Sequence, residues 1–332
     1  MVVAKAGRGY LWKRFVVVGM FMALLPASLM IGSMSEVTME ALLAGDPTAW
    51  QVMWHSRIPR TFAIIISAAG LSVAGLVMQA ISRNKFMSPQ TSGALDSAAL
   101  GMLLSFIILH RQTPTVQMIF AFLFALLGTL LFTTLISRLK LREVVYIPLL
   151  GLMYGGFISA ITTAIAFRFE AMQLMQSLQL GSFARLGDFR MVYIVLIPLA
   201  VSVIFATKFS IIGLGADFAK NLGVNYNRVV FIGLVVVSLV SAATFVAIGP
   251  LPFVGLIIPN MTTSFYGDNL KKSIIDLMLF GAVFVLICDI FSRLIIYPFE
   301  MNVSLTISVV GGGIFMVYLL RGMYGKFGTT AG

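Results

Sequence analysis

Residues 15–31, 116–136 and 229–247 each run for about the thickness of a bilayer without a single charged side chain. A crossing helix needs about 20 apolar residues at 1.5 Å rise per residue, so these blocks have the length and character of membrane spans. The rest of the chain agrees with them. Only 11% of the 332 residues are charged and the mean hydropathy is +1.01, whereas a soluble domain carries about 25% charge and needs it to cover its surface. The sequence therefore reads as an all-α, polytopic membrane protein: one transmembrane domain over residues 1–332, with no sizeable part outside the membrane.

Several chemistries are excluded or weakly supported. Cys288 is the single cysteine and sits in an apolar run, so no intrachain disulfide and no thiolate metal site can form. His55 and His110 are far apart and neither belongs to an HExxH or His/carboxylate cluster. The P-loop pattern GxxxxGK[ST] is absent, and Gly213 and Gly215 lack the third glycine and the preceding strand of a dinucleotide loop. No cofactor and no metal is expected on this chain; if ATP is used, another chain binds it. No nucleic-acid partner is expected either.

The N-terminal cations Lys5, Arg8, Lys13 and Arg14 precede the first apolar run and have the look of a signal peptide. The spans that follow favour an uncleaved first helix. Further runs lie at 62–82, 91–109, 116–136, 144–167, 191–209, 229–249, 274–296 and 305–320. A shorter one, 250–265, carries Pro250, Pro252 and Pro259 and reads as a broken or half-length helix. If it crosses, there are ten spans with both termini in the cytoplasm, and the 23 Lys and Arg residues divide 16 inside to 7 outside. If it does not, they divide 13 to 10, so the positive-inside rule selects ten. In that arrangement all nine lysines are inside, and the seven outer cations are Arg57, Arg60, Arg111, Arg168, Arg185, Arg190 and Arg293. Arginine's planar fork donates two hydrogen bonds to a carboxylate at once, although an arginine at a helix end also snorkels.

The largest outer connection spans 32–60. Ser35 is placed to cap a short helix there, and Trp50 and Trp54 suit the interfacial belt. The largest inner one, 208–228, has Leu214, Phe218 and Leu222 at i, i+4, i+8, with Asp217, Lys220 and Asn221 elsewhere and Gly215 and Gly223 as punctuation. It is expected to form a short amphipathic helix outside the membrane, either lying on lipid or fitting the groove of a cytoplasmic partner.

Five motifs then stand in a characteristic order. RIPRTFAIIISAAGLSVAGLVMQ (57–79), LGADFAKNLGV (214–224), GPLPFVGLIIPN (249–260), DIFSR (289–293) and VVGGGIFMVYLLR (309–321) resemble the FecCD family, the permease subunits of ABC importers for ferric siderophores, haem and vitamin B12. The resemblance implies a ten-helix fold, a second permease subunit (identical or a paralogue), two ATPase subunits that bind the ATP and Mg, and an extracytoplasmic binding protein, in a bacterial cytoplasmic membrane. It also makes 208–228 the coupling segment, with Leu214, Gly215, Asp217, Phe218, Lys220, Leu222 and Gly223 facing the ATPase. Most members have N-P-L-A-x-P after the second helix. Here Asn84-Lys85-Phe86-Met87-Ser88-Pro89 is followed by Thr91-Ser92-Gly93-Ala94-Leu95-Asp96, a form similar to the branch for catecholate-type ferric siderophores. Asn260 stands where the family has histidine.

Arg57 and Arg60 open a helix whose dipole opposes them by about 0.3–1 kcal/mol each, so helix stabilisation does not explain them. Headgroup snorkelling does, and so does the docking of binding-protein carboxylates that the resemblance implies. Arg293 follows Asp289 at i, i+4, where the pair can also neutralise itself. Asp96 is either a pathway carboxylate or a solvated residue near the cytoplasmic end of its span. Asn84, Tyr146, Tyr154 and Thr162 complete the pathway or gate candidates. The expected function is thus inward movement of a ferric siderophore among membrane lipid, without covalent chemistry. The alternatives are import of haem or vitamin B12, and an ion- or proton-coupled secondary transporter, which needs acids near the bilayer midplane. An intramembrane enzyme has no serine/histidine or paired-aspartate site to work with.

Overall fold

The computed structural model describes residues 2–32, 38–109, 113–139, 146–185, 190–266 and 270–327, and every regular element among them is helical. Fifteen α-helices follow one another: α1 (Val2–Met30), α2 (Met39–Leu43), α3 (Pro47–Val52), α4 (Ile58–Ser82), α5 (Ala94–Leu109), α6 (Pro114–Arg138), α7 (Tyr146–Arg168), α8 (Met172–Leu178), α9 (Arg190–Tyr193), α10 (Leu196–Gly213), α11 (Ala216–Asn221), α12 (Tyr226–Ala247), α13 (Val254–Tyr266), α14 (Leu270–Leu294) and α15 (Val303–Phe327). A π-turn, Met53–Arg57, joins α3 to α4. Seven helical stretches are long and apolar enough to cross a membrane, and Ala94–Leu109 and Val303–Tyr318 are shorter apolar helices.

Small side chains decide which helix sits in the centre. α4 is buried nearly all round, and its Gly70 and Gly75 let neighbours approach to backbone distance. A Cβ on Gly75 would collide with the Gly255 carbonyl of α13, and one on Gly70 with the side chain of Val195. Gly75→Ala is accordingly expected to cost about 1–3 kcal/mol through overpacking. Gly19→Ala, which meets nothing within 4 Å, should be near neutral. Unfolding midpoints of the two variants in one detergent check this; equal midpoints would contradict the close approach.

α1 and α14 lie side by side and run in the same direction. Arg14 Nε is 3.2 Å from Asp276 Oδ1 at one end, here called lower. At the other, upper end Arg293 Nη1 donates to the carbonyls of Ser28 and Ile31 at 2.9 and 2.6 Å. α13 is half-length because it starts halfway up. Gly255, in its first turn, lies against the Leu71 carbonyl in the middle of α4, while Lys13 Nζ donates to the Phe265 carbonyl at the lower end. Pro259 lies inside this helix.

The chain enters α5 unusually. Arg83, at φ 50°, ends α4 in the left-handed region, and residues 84–93 climb into the bundle without forming a helix. Their backbone is satisfied by side chains: Asn84 Oδ1 accepts from Phe86 N, Thr91 Oγ1 accepts from Ser88 N, and Gln79 Nε2 and Asn260 Nδ2 both donate to the Lys85 carbonyl, at 3.0 and 2.8 Å. Asn260 is therefore a clamp on this segment.

Two local readings are revised. Thr38, whose hydroxyl accepts from Ala41 N, caps α2; Ser35 falls outside the described residues. The 191–209 run is not one helix, because it breaks at Ile194 and Val195 between α9 and α10. Pro198 lies in the first turn of α10, where its missing N–H is tolerated. Near the upper end, the hydroxyl and amide of Thr48 hold the Asp46 carboxyl below its ordinary pKa while it caps α3.

Candidate functional site

Three regions collect the candidate residues. The first is a polar cleft of about 420 Å³ beside α5, α7 and α8, lined by Asp96, Ser159, Thr162, Thr163, Gln90 and Gln179 among others. An apolar cleft of about 560 Å³, lined by Phe86, Leu149, Phe253, Leu256 and Phe315, shares Gln90 and Leu152 with it. The two therefore adjoin as one channel-like surface, polar above and apolar below.

Asp96 belongs here, but not at the depth its sequence position suggests. It sits in the first turn of α5, yet a Cβ on Gly155 would meet its Oδ2, and the adjacent Ser97 lies against Gly128. Gly155 and Gly128 are close to the middles of α7 and α6, so Asp96 is a mid-depth carboxylate rather than one near a membrane face. The cause is the climb of residues 84–93, which starts α5 part-way up. Among the other pathway candidates, Thr162 lines the same cleft and donates its hydroxyl hydrogen to the Ile158 carbonyl at 2.8 Å, leaving the oxygen as an acceptor. Tyr154 stands behind the wall: its hydroxyl donates to the Gly128 carbonyl at 3.0 Å, and its ring stacks on Phe132 with centroids 5.6 Å apart. Tyr146 is exposed at the start of α7 and lines neither cleft, and Asn84 is buried in its own turn. Sequence reasoning missed Gln90, Gln179, Ser159 and Thr163. The hydroxyls at 159, 162 and 163 follow the i, i+3, i+4 period of one helix face and were legible. The glutamines sit in non-helical segments, and no period marks them.

The second region is the upper end, where the fold brings Arg57, Arg60 and Arg293 together but turns them inward. Arg57 and Arg293 are only 5% and 2% exposed. Arg57 Nη1 donates to the Leu29 and Met30 carbonyls at 2.8 and 2.6 Å. Arg293 takes the Ser28 and Ile31 carbonyls and pairs with Asp289 Oδ2. Arg60 bridges Asp289 Oδ1 at 2.8 Å and Glu300 Oε2 at 2.6 Å. The three arginines expected to meet a docking protein thus lie in a network whose guanidinium groups already have partners within this chain. Its physical logic is the C-terminus of α1, whose last carbonyls lack intrahelical donors and carry the negative end of the dipole. Two arginines cap it, and Asp289 and Glu300 neutralise Arg60 at the unfavourable start of α4. Nothing in the sequence pointed to Glu300, because it comes from the connection between α14 and α15.

The third region is α11. Gly215, at φ 117°, precedes it and Gly223, at φ 72°, follows it, a conformation that favours glycine. Leu214, Phe218 and Leu222 are 63%, 49% and 55% exposed, while Ala219 on the opposite side is fully buried. Asp217 lies in the first turn and Lys220 in the last, each with the sign that suits the dipole. The apolar stripe faces outward; the helix is pinned from behind.

Known proteins resemble this chain along most of its length. The petrobactin import system permease protein of Bacillus subtilis (strain 168) is 42% identical over 271 residues, 81% of this chain and 86% of its own. The ferric-anguibactin transport system permease protein of Vibrio anguillarum is 34% identical over 91% of this chain and 96% of its own. A solved metal-chelate type ABC transporter in an inward-facing conformation shares the fold, with a TM-score of 0.77 at 22% identity over 94% of this chain and 99% of that one. The sequence pattern of the FecCD transport family matches residues 18–321, beyond the 57–321 covered by the motifs. With that span and those relatives, the chain belongs to the FecCD transport family.

Proposed function

We propose that this chain is the membrane-spanning permease subunit of an ABC importer that carries a ferric siderophore into the cytoplasm of a bacterium, across its cytoplasmic membrane. The observation that carries the reading is the agreement of relatives named for petrobactin and anguibactin along four fifths or more of the chain. In this reading residues 1–332 are one permease domain with ten crossings and both termini inside. The parallel run of α1 and α14 supports that parity, because it requires the short α13 segment to count as a crossing. The lower end is then cytoplasmic. α11, within segment 208–228, is the seat of the ATPase subunit, which binds the ATP and Mg; a second permease copy or paralogue covers the clefts. The binding protein docks at the upper end on a platform that the Arg57, Arg60 and Arg293 network holds in shape.

The substrate passes Asp96, Thr162 and Thr163, whose oxygens accept hydrogen bonds, and the amides of Gln90 and Gln179, which can donate them to an oxygen-rich solute, before the apolar cleft. Cells lacking their own siderophore permeases and expressing the full complex should take up iron-55 as ferric petrobactin much faster than as a ferric hydroxamate; equal rates would sink the substrate assignment. Asp96→Asn should lower that uptake several-fold while the complex still assembles, whereas unchanged uptake would place Asp96 off the path. The mid-depth position of Asp96 also favours a second reading, ion-coupled transport. Uptake that stops with an uncoupler while ATP is maintained would select it.

A further inference from the structure

We propose that the cavity of about 640 Å³ at the lower end, between α4, α6 and α12, binds one anionic phospholipid, its phosphate at Arg83 and its acyl chains against the deeper wall. The lining follows the same polarity gradient on all three helices. Along α4 it passes from Met78 down to Ser82 and Arg83; along α6, from Leu130 to Thr134 and Ser137; along α12, which runs the other way, from Leu234 and Val230 to Tyr226 and Asn227. The three helices thus place apolar atoms deep and the polar atoms at the mouth, where Ile136, Leu139 and, from α7, Ile147 are interspersed with them, as a lipid's glycerol region requires and a small soluble solute does not.

The charge at the mouth has one sign. Arg83 lines the cavity and no carboxylate does. Among the described residues, the exposed Arg83 has no ion-pair partner. The hydroxyl hydrogens of Ser82, Thr133, Thr134 and Ser137 go to carbonyls of their own helices, so donation to a ligand falls to Arg83 as the one charged group, with the Tyr226 hydroxyl and the Asn227 amide beside it in the lining. The first turn of the 22-residue α12, with Tyr226 and Asn227 in the lining, adds the positive end of a dipole. A phosphate monoanion satisfies that mouth, and guanidinium suits phosphate geometry. A phospholipid is favoured over free phosphate because the apolar wall continues onto exposed Phe231, Leu127 and Leu131 on the flanks of α12 and α6. Arg83 Nη1 also lies beside Gly215, at the entrance to α11, so the occupant would sit next to the coupling helix.

The test uses the full chain purified in a mild detergent, with phosphatidylglycerol, phosphatidylcholine and inorganic phosphate as probes. Native mass spectrometry should show one retained phosphatidylglycerol, bound at least ~10-fold more tightly than phosphatidylcholine, and phosphatidylglycerol alone should raise the unfolding midpoint. Arg83→Gln should abolish the preference and Arg83→Lys should largely keep it. Asn227→Asp is the decisive variant: in the first turn of α12 a carboxylate suits the helix, so folding is preserved, yet it repels a phosphate at the mouth. Unchanged phosphatidylglycerol affinity in both Arg83→Gln and Asn227→Asp would overturn the proposal. So would equal stabilisation by phosphatidylcholine, which would mean ordinary annular lipid, or by inorganic phosphate. If addition of the ATPase subunit displaces the lipid and Arg83→Gln abolishes that subunit's binding instead, the cavity is a protein seat and the lipid assignment fails.

Discussion

Asp289→Asn is expected to lower the stability of the chain by about 3–5 kcal/mol, the range for removing one partner of a buried ion pair. Asp289 is fully buried and is shared by Arg60 and Arg293. Asparagine fills nearly the same volume but leaves two guanidinium groups facing one another without their common counter-charge. Glu300→Gln is the comparison, since the Glu300 side chain is 18% exposed where that of Asp289 is fully buried. Its loss should cost less than that of Asp289, because water reaches Glu300 and can replace part of what the guanidinium loses. Thermal unfolding of both variants in the same detergent, followed by circular dichroism, makes the measurement. A midpoint for Asp289→Asn equal to that of Glu300→Gln would mean that the network does not hold the upper end together.

Phe218→Asp is expected to abolish uptake by the assembled transporter while leaving the unfolding midpoint of the isolated chain unchanged. The side chain is half exposed on the outward face of α11, and a surface substitution away from packing contacts shifts stability by no more than ~0.5 kcal/mol. A charge in the middle of the Leu214, Phe218 and Leu222 stripe, however, would have to be desolvated in any apolar groove that receives it. Pull-down of the ATPase subunit by the solubilised variant decides between the two readings of the stripe: loss of the subunit supports coupling, and full retention means that α11 lies on lipid. Ala219→Asp gives the contrast, because Ala219 is buried and its substitution should unfold the local structure first.

The helical architecture was legible because charge-free blocks of bilayer length admit few other solutions, and α11 was legible because its apolar residues recur with the helical period. The depth of Asp96 was not. Counting along the chain placed it near a membrane face, and only the non-helical climb of residues 84–93, held by Gln79 and Asn260 from other helices, lifts it to the middle. The partners of the upper arginines were not legible for a related reason. The number and type of these arginines were visible, but their partners are the last carbonyls of α1 and a glutamate far along the chain, and sequence spacing carries no record of which helix ends meet. The break before α10 was hidden because Ile194 and Val195 are as apolar as their neighbours; hydropathy sees composition and not the missing amide of Pro198.

The ascending segment 84–93 also bears on the electrical tightness of the membrane. A stretch of unwound backbone inside a bilayer is a potential wire for protons and small ions, since each unsatisfied peptide group invites water to follow it inward. Here the segment is closed from both sides by amide side chains that share one carbonyl, by the Ser88 and Thr91 turn, and by the fully buried Met87. Gln79 and Asn260 thereby act as a gasket. Shortening or charging either one is expected to open a hydrated seam beneath Asp96, so that a run-down of the proton gradient in expressing cells, read with a potential-sensitive dye, would precede any loss of iron uptake.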